Sequence, residues 1–484
     1  MNELSNKYYA KFGLNSELPC IILFGIAFML VFAGFDTQAY ITEIALQSVS
    51  NAFPGRISAH AGYYGMCITY FSFTIATFIT PPVVAYLTAK WTMFLASVLY
   101  TIFMLTFMLV NSYIFYITSA LMGIGSAFIW IGHGVYMKEI TTPGNESRNS
   151  GLHWGITFAG LIFGGILLLV IFDKTGEAEI YIFGGLSVFT ILSNILFALL
   201  PDHSSRSVTK RDSFSKTMGK IIKVFTDIKM ILLATGFMFM GLSLSLYITI
   251  YPSCLSFSKS VIGFGNEIIA YYAFITSASQ IFGGCLISFL SKRIHNFGYM
   301  PTMLIALPLY LVAFLGIWFA FPKNANLEPT NDVTYLSPSL SLWLIIGTLI
   351  CIGDSFWNTL RIAVLTKMYD RESSSQVFAI SEFFQVILTF LFRIFFAPFK
   401  MKYAIIRLIR MCITYFSFTI ATFITPPVVA YLTAKWTMFL ASVLYTIFML
   451  TFMLVNSYIF YITSALMGIG SACEFFNFTN FFKS

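Results

Sequence analysis

The 484 residues are 58% hydrophobic and only 10% charged, with 54 phenylalanines and a formal charge of +8. Mean hydropathy is +0.82. So few polar groups cannot cover a water-facing surface, which excludes a soluble globular protein and leaves an all-α, multi-pass membrane protein whose first partner is the lipid bilayer.

Residues 1–17 are polar and carry Lys7 and Lys11. Apolar runs long enough to cross a bilayer core then follow at 19–35, 63–86, 91–110, 113–136, 154–172 and 180–200. No small-residue cleavage site follows the first run, so it reads as a retained membrane helix. A polar, basic segment interrupts at 201–227, and five more runs follow at 230–251, 268–290, 300–321, 340–360 and 377–399. Alternating loops differ in charge: with the N-terminus in the cytosol, sixteen Lys and Arg fall inside and four outside, the four being Arg56, Lys174, Lys259 and Lys323. That asymmetry predicts a cytosolic N-terminus in a plasma membrane or endomembrane. It also accounts for the basic middle segment as a topology and headgroup signal, so nucleic acid is not an expected partner.

Six helices, a basic linker and a second group of helices is the plan of the major facilitator superfamily, whose two six-helix halves are pseudo-symmetric. On this plan residues 1–200 are the N-terminal half, 201–229 the linker and 230–400 the C-terminal half with spans seven to eleven. Ile124-Gly125-Ser126-Ala127-Phe128 in span four matches Ile352-Gly353-Asp354-Ser355-Phe356 in span ten, where such a symmetry would superpose them.

One feature departs from the plan. Residues 66–127 recur letter for letter at 411–472. Structural repeats of long standing keep only their hydrophobic pattern, so identity of this kind marks a recent partial duplication or an error in joining gene segments. The C-terminal copy is therefore an aberrant duplicated segment, taking the place of the native twelfth helix. The seven cysteines lie in or beside apolar runs without metal or redox spacing, which predicts buried packing and no cofactor or metal.

The stretch richest in chemistry is 123–154. Glycines 123, 125, 132 and 134 open a helix face to close approach. Trp130 and His133 lie one turn apart, and an ionisable group at membrane depth is a candidate site, although His133 stands near the inner end, within reach of water. Arg148, Asn149, Ser150 and Gly151 precede span five, where Asn or Ser can cap the helix and Arg can hold a loop or lipid phosphate. Acidic groups inside spans bear on transport: Asp36 and Glu43 follow the apolar part of span one, Glu382 and Gln385 lie in span eleven, and Asp354 in span ten shares a face with Asn358 and Arg361. Such carboxylates suit a coupled transporter of a small solute or ion, or a structural cluster between helices.

The run Arg148-Asn149-Ser150-Gly151 with Trp154, Ile79-Thr80-Pro81 with Val83-Val84, and Gly353-Asp354 with Asn358-Thr359 resemble the ion channel regulatory proteins of the Unc-ninety-three type. Gly241-Leu242 and Gly283-Gly284 add to the likeness, which covers roughly residues 18–395 and is strongest to the UNC93-like, major facilitator domain-containing branch. The resemblance implies a twelve-helix major facilitator fold and, for founding members, association with a potassium channel. Where the wider superfamily carries a charge-paired latch between spans two and three, this chain reads Ala85-Tyr86-Leu87-Thr88-Ala89-Lys90 and keeps only the Lys. The expected function is a channel-associated regulator with a potassium channel subunit as partner; the alternative is a secondary-active transporter with a small solute as partner. No nucleotide loop, zinc-protease motif or nucleophile elbow is present, so an enzyme is not expected. The sequons at Asn145 and Asn477 fall in inside loops by the charge count and are expected to be unused.

Overall fold

The computed structural model describes residues 16–58, 60–172, 178–202, 214–258, 263–265, 267–293, 299–322, 325, 330, 334–395, 442–444 and 462–470. Most of the copy at 411–472, the sequon at Asn477 and part of the basic linker therefore lie outside the described residues. The described chain is helical throughout: α1 Glu17–Ala52, α2 Ala61–Thr106, α3 Ser112–Ile140, α4 Glu146–Phe158, α5 Gly160–Phe172, α6 Ala178–Leu199 and α7 Phe214–Phe225. Then come α8 Ile228–Ser245, a π-helical turn Leu246–Ile250, α9 Tyr251–Ser258, α10 Ile268–Arg293, α11 Tyr299–Ala320, α12 Leu340–Met368 and α13 Ser374–Phe395. Among the described residues eight helices are long and apolar enough to cross a membrane, and Phe183–Leu199 and Ile305–Ala320 are shorter apolar helices.

Three expected boundaries move, each for a physical reason. The first helix does not stop at Phe35 but runs on to Ala52. Asp36, Thr37, Gln38, Thr42 and Glu43 are all buried, so they face other helices rather than lipid, and a hydropathy count mistakes them for an end. The loop expected at 85–90 is a break at one residue: Thr88, at φ 75° and ψ 161°, joins two spans within α2. Span five begins at Glu146 rather than Trp154, with Asn145 in the N-cap position, so Arg148 to Gly151 already lie in the helix and cap nothing. Cysteines 20, 254 and 351 are buried as expected, whereas Cys285 is exposed on the outer face of α10.

Helices α1 to α6 pack on one another as one group and α8 to α13 as a second; the groups meet chiefly through α2 against α13 and α4 and α5 against α10. Small residues permit that approach. A Cβ added at Gly151 would come within 2.5 Å of the Gly284 carbonyl oxygen, and one at Gly284 within 2.8 Å of the Gly151 oxygen. Any larger residue at either position forces α4 and α10 apart. The matched pentapeptides of spans four and ten do equivalent work: a Cβ added at Gly125 would come within 3.1 Å of Leu99 of α2, and one at Gly353 within 2.8 Å of Tyr310 of α11.

Candidate functional site between the helix groups

Where the two groups meet in mid-bundle, they enclose a cavity of about 60 Å³. The first group supplies Phe32, Phe35 and Asp36 from α1, Thr69, Tyr70, Phe73 and Tyr100 from α2, Ser126 and Trp130 from α3, and Trp154, Thr157 and Phe158 from α4. The second supplies Leu244, Tyr247 and Ile248 around the π turn, Asn358 and Arg361 from α12, and Glu382 and Gln385 from α13. A π turn widens the helix locally and re-aims its side chains; here it carries Tyr247 to the cavity wall.

The ionisable groups of the wall are treated unequally. Arg361 donates from Nη1 to Glu382 Oε1 and, at 3.1 Å, to Gln385 Oε1, while its Nε has no partner. Asp36 is 4% exposed and accepts no hydrogen bond from the described residues. Asp354 is 1% exposed and stands behind the wall. Its Oδ2 accepts from Gln280 Nε2 at 2.9 Å and Asn358 Nδ2 at 3.0 Å, while Gln280 Oε1 accepts from Trp154 Nε1 at 3.0 Å. A chain of hydrogen bonds thus ties α4 of the first group to α10 and α12 of the second. Asp354 and Arg361, expected to act on one face, are divided between different partners. The partner of Arg361 comes from α13 and that of Asp354 from α10.

His133 does not reach water: it is 1% exposed, and its Nε2 lies 3.3 Å from Nδ1 of His153. Phe24 and Phe28 pack on both imidazoles, so the pair sits behind Trp130 rather than on the cavity wall. Sequence reasoning missed His153, Gln280 and Tyr247. Gln280 was legible as an amide inside an apolar span, whereas His153 lies in a stretch read as loop and the π turn leaves no sequence mark.

The motif Arg148-Asn149-Ser150-Gly151 closes one end of the bundle. Glu17 at the start of α1 accepts from Asn149 Nδ2 and from Thr142 Oγ1 at 2.8 Å, and Arg148 Nη2 lies 3.4 Å from it. Ser150 Oγ donates to the Thr359 carbonyl at 3.3 Å, and Ser288 Oγ donates to the Arg148 carbonyl at 3.3 Å. Lys138 donates to the Tyr369 carbonyl, and the Tyr369 hydroxyl donates to Asp227 at 2.8 Å. Burial, and then the neighbouring Asp227 carboxylate, hold the Tyr369 phenol above its usual range. Trp154, one turn beyond Gly151, reaches the cavity. Lys90, the one residue of the superfamily latch that this chain keeps, is buried with its ammonium 4.9 Å from the Trp91 ring. Beyond the cavity in the other direction, Tyr40 of α1 meets Tyr272 of α10 with ring centroids 5.3 Å apart. Among the described residues no cluster of three or more His, Cys, Asp or Glu side chains could hold a metal ion.

The family described as ion channel regulatory protein UNC-93 matches residues 53–411 and again 408–479. The UNC93-like protein MFSD11 of Xenopus laevis is 26% identical over 401 residues, covering 77% of this chain and 88% of the relative. That of Xenopus tropicalis is 25% identical over 400 residues, with the same coverage. Among solved structures, the proton:xylose symporter XylE bound to 6-bromo-6-deoxy-D-glucose superposes with a TM-score of 0.57 at 14% identity, covering 81% of this chain and 93% of the other. The transporter FucP in its outward conformation gives 0.53 at 12%, covering 96% and 98%. An outward-facing bacterial homologue of the iron transporter ferroportin gives 0.58 at 12%, covering 81% and 96%. At these identities the likeness is one of fold, and the fold is that of the major facilitator superfamily.

Proposed function

The chain belongs to the ion channel regulatory protein UNC-93 family, and on that premise we propose that it is a multi-pass membrane protein that binds a small solute between its two helix groups and carries it across the bilayer. The observation that carries this reading is the mid-bundle cavity with Asp36, Arg361 and Glu382 on its wall. Ionisable groups at membrane depth are costly and are retained where a pathway or site needs them. The helix groups touch on both sides of the cavity, at Gly151 and Gly284 and at Tyr40 and Tyr272, as in an occluded stage of alternating access. The excess of basic residues at the Lys138 and Arg148 end supports a cytosolic N-terminus.

The second reading, favoured by the family's description, is regulation of an ion channel, with a potassium channel subunit as the partner. Uptake by proteoliposomes containing the purified chain separates the two. Saturable flux that is lost on Asp354→Asn supports carriage, because Asp354 ties the wall residue Trp154, through Gln280, to Asn358. Absence of flux, together with co-purification of a channel whose current changes, supports regulation. Fold alone cannot decide, since one fold hosts both.

A further inference from the structure

We propose that the cavity takes a small organic cation, a protonated amine or quaternary ammonium, bound by the Asp36 carboxylate against an aromatic wall. The proposal rests on the carrier reading for the cavity's role in transport; for binding alone it rests on charge and shape.

The cavity wall carries two carboxyl groups and one guanidinium, and the guanidinium is already engaged by Glu382 and Gln385. Asp36 is left without a basic partner or a hydrogen-bond donor among the described residues. The neighbouring acid that acts on it, Asp354, has the same sign. The amides of Gln280 and Asn358 donate to Asp354. The imidazoles of His133 and His153 face each other behind Trp130. An acid buried to 4% exposure on a cavity wall either holds a proton or is paired by a cation that enters the cavity.

The rest of the wall suits the same ligand. The rings of Phe35 and Tyr100 lie 5.1 Å apart, as do those of Phe32 and Trp130, and Tyr70 faces the same space. Faces of aromatic rings attract cations, most strongly where water is excluded. A cavity of about 60 Å³ has room for roughly four to six waters, so the ligand is small unless the helix groups part.

The test uses the full chain in lipid nanodiscs. Thermal unfolding is followed by tryptophan fluorescence with choline, ethanolamine, acetate or glycerol added separately. Choline and ethanolamine are expected to raise the midpoint saturably, and acetate and glycerol to leave it unchanged. Asp36→Asn is expected to weaken choline binding at least tenfold and Asp36→Glu to restore part of it. Trp130→Leu, which leaves the acid in place, is expected to weaken choline more than ethanolamine. Stabilisation by acetate or glycerol, a choline effect unchanged in Asp36→Asn, or a response to pH with none to any cation overturns the proposal. Cation binding without uptake sustains it and removes the carrier reading. Uptake confined to neutral or anionic solutes does the reverse.

Discussion

Arg361 of α12 and Glu382 of α13 form an ion pair between two helices of the second group, with exposures of 4% and 2%. Breaking such a pair from one side leaves a buried charge alone, at about 3–5 kcal/mol, whereas replacing both partners by apolar residues is near neutral. Arg361→Met and Glu382→Met should each destabilise by about that amount, and the double variant by far less. A double-mutant cycle of unfolding midpoints in detergent checks this, and additive losses would show that the two side chains do not act as a pair.

Gly151 and Gly284 set how closely α4 and α10 approach. Gly284→Val should wedge the helix groups apart at the end that carries Arg148. Spin labels at Pro143 and Arg293, in a background lacking the exposed Cys285, should report a longer distance in the variant. An unchanged distance with wild-type stability would mean that the contact is not a constraint.

Much of the fold was legible because apolar runs and loop charges report membrane crossings directly. What hydropathy could not distinguish was a polar residue that ends a span from one that faces a neighbouring helix. Asp36 and Glu43 belong to the second kind, so α1 reads as too short. The candidate site was legible only as a set of residue types. Asp354, Asn358 and Arg361 share one helical face in sequence, yet Gln280 of α10 holds the first and Glu382 of α13 the last. Those pairings depend on which helices become neighbours, and local spacing does not contain that information.

Thr88 holds a backbone conformation, φ 75° and ψ 161°, that is open in practice to glycine alone and costs a residue with a side chain about 1–3 kcal/mol. Its Oγ1 is also buried without a partner. Thr88→Gly should remove both penalties while keeping the Thr88 carbonyl that accepts from Thr92 Oγ1 at 2.7 Å. The unfolding midpoint should rise, and Thr88→Ala, which removes the unpartnered hydroxyl but keeps the strain, should gain less. Equal behaviour of the two variants would show that the strain is not there.

The exact recurrence of residues 66–127 at 411–472 predicts a result at the level of the transcript. The second family match, 408–479, encloses the copy. Messenger sequenced across the Arg410–Met411 junction is expected to diverge there into a different twelfth helix. Recovery of the copy from several independent transcripts would establish it as part of the protein.

Arg148 and Asn149 both serve Glu17, but they should not matter equally. The Arg148 and Glu17 side chains are 31% and 17% exposed and 3.4 Å apart, and a partly solvated pair of this kind contributes about 0–1 kcal/mol. Asn149 is fully buried, and its amide donates to Glu17 and, at 3.2 Å, to Thr141 Oγ1. Replacing it with Leu strands two acceptors and clashes with them, at a cost of about 1–3 kcal/mol per unsatisfied group. Arg148 also donates to Asn149 Oδ1, from Nε at 3.0 Å and Nη2 at 2.8 Å, so Arg148→Gln should lower the unfolding midpoint modestly and Asn149→Leu should lower it further. Because the pair stands beside Gly151, Asn149→Leu should also speed cysteine labelling at Ser150→Cys, where α4 meets the Thr359 carbonyl. A larger loss from Arg148→Gln would mean that charge, rather than the buried amide, fastens α1 to α4.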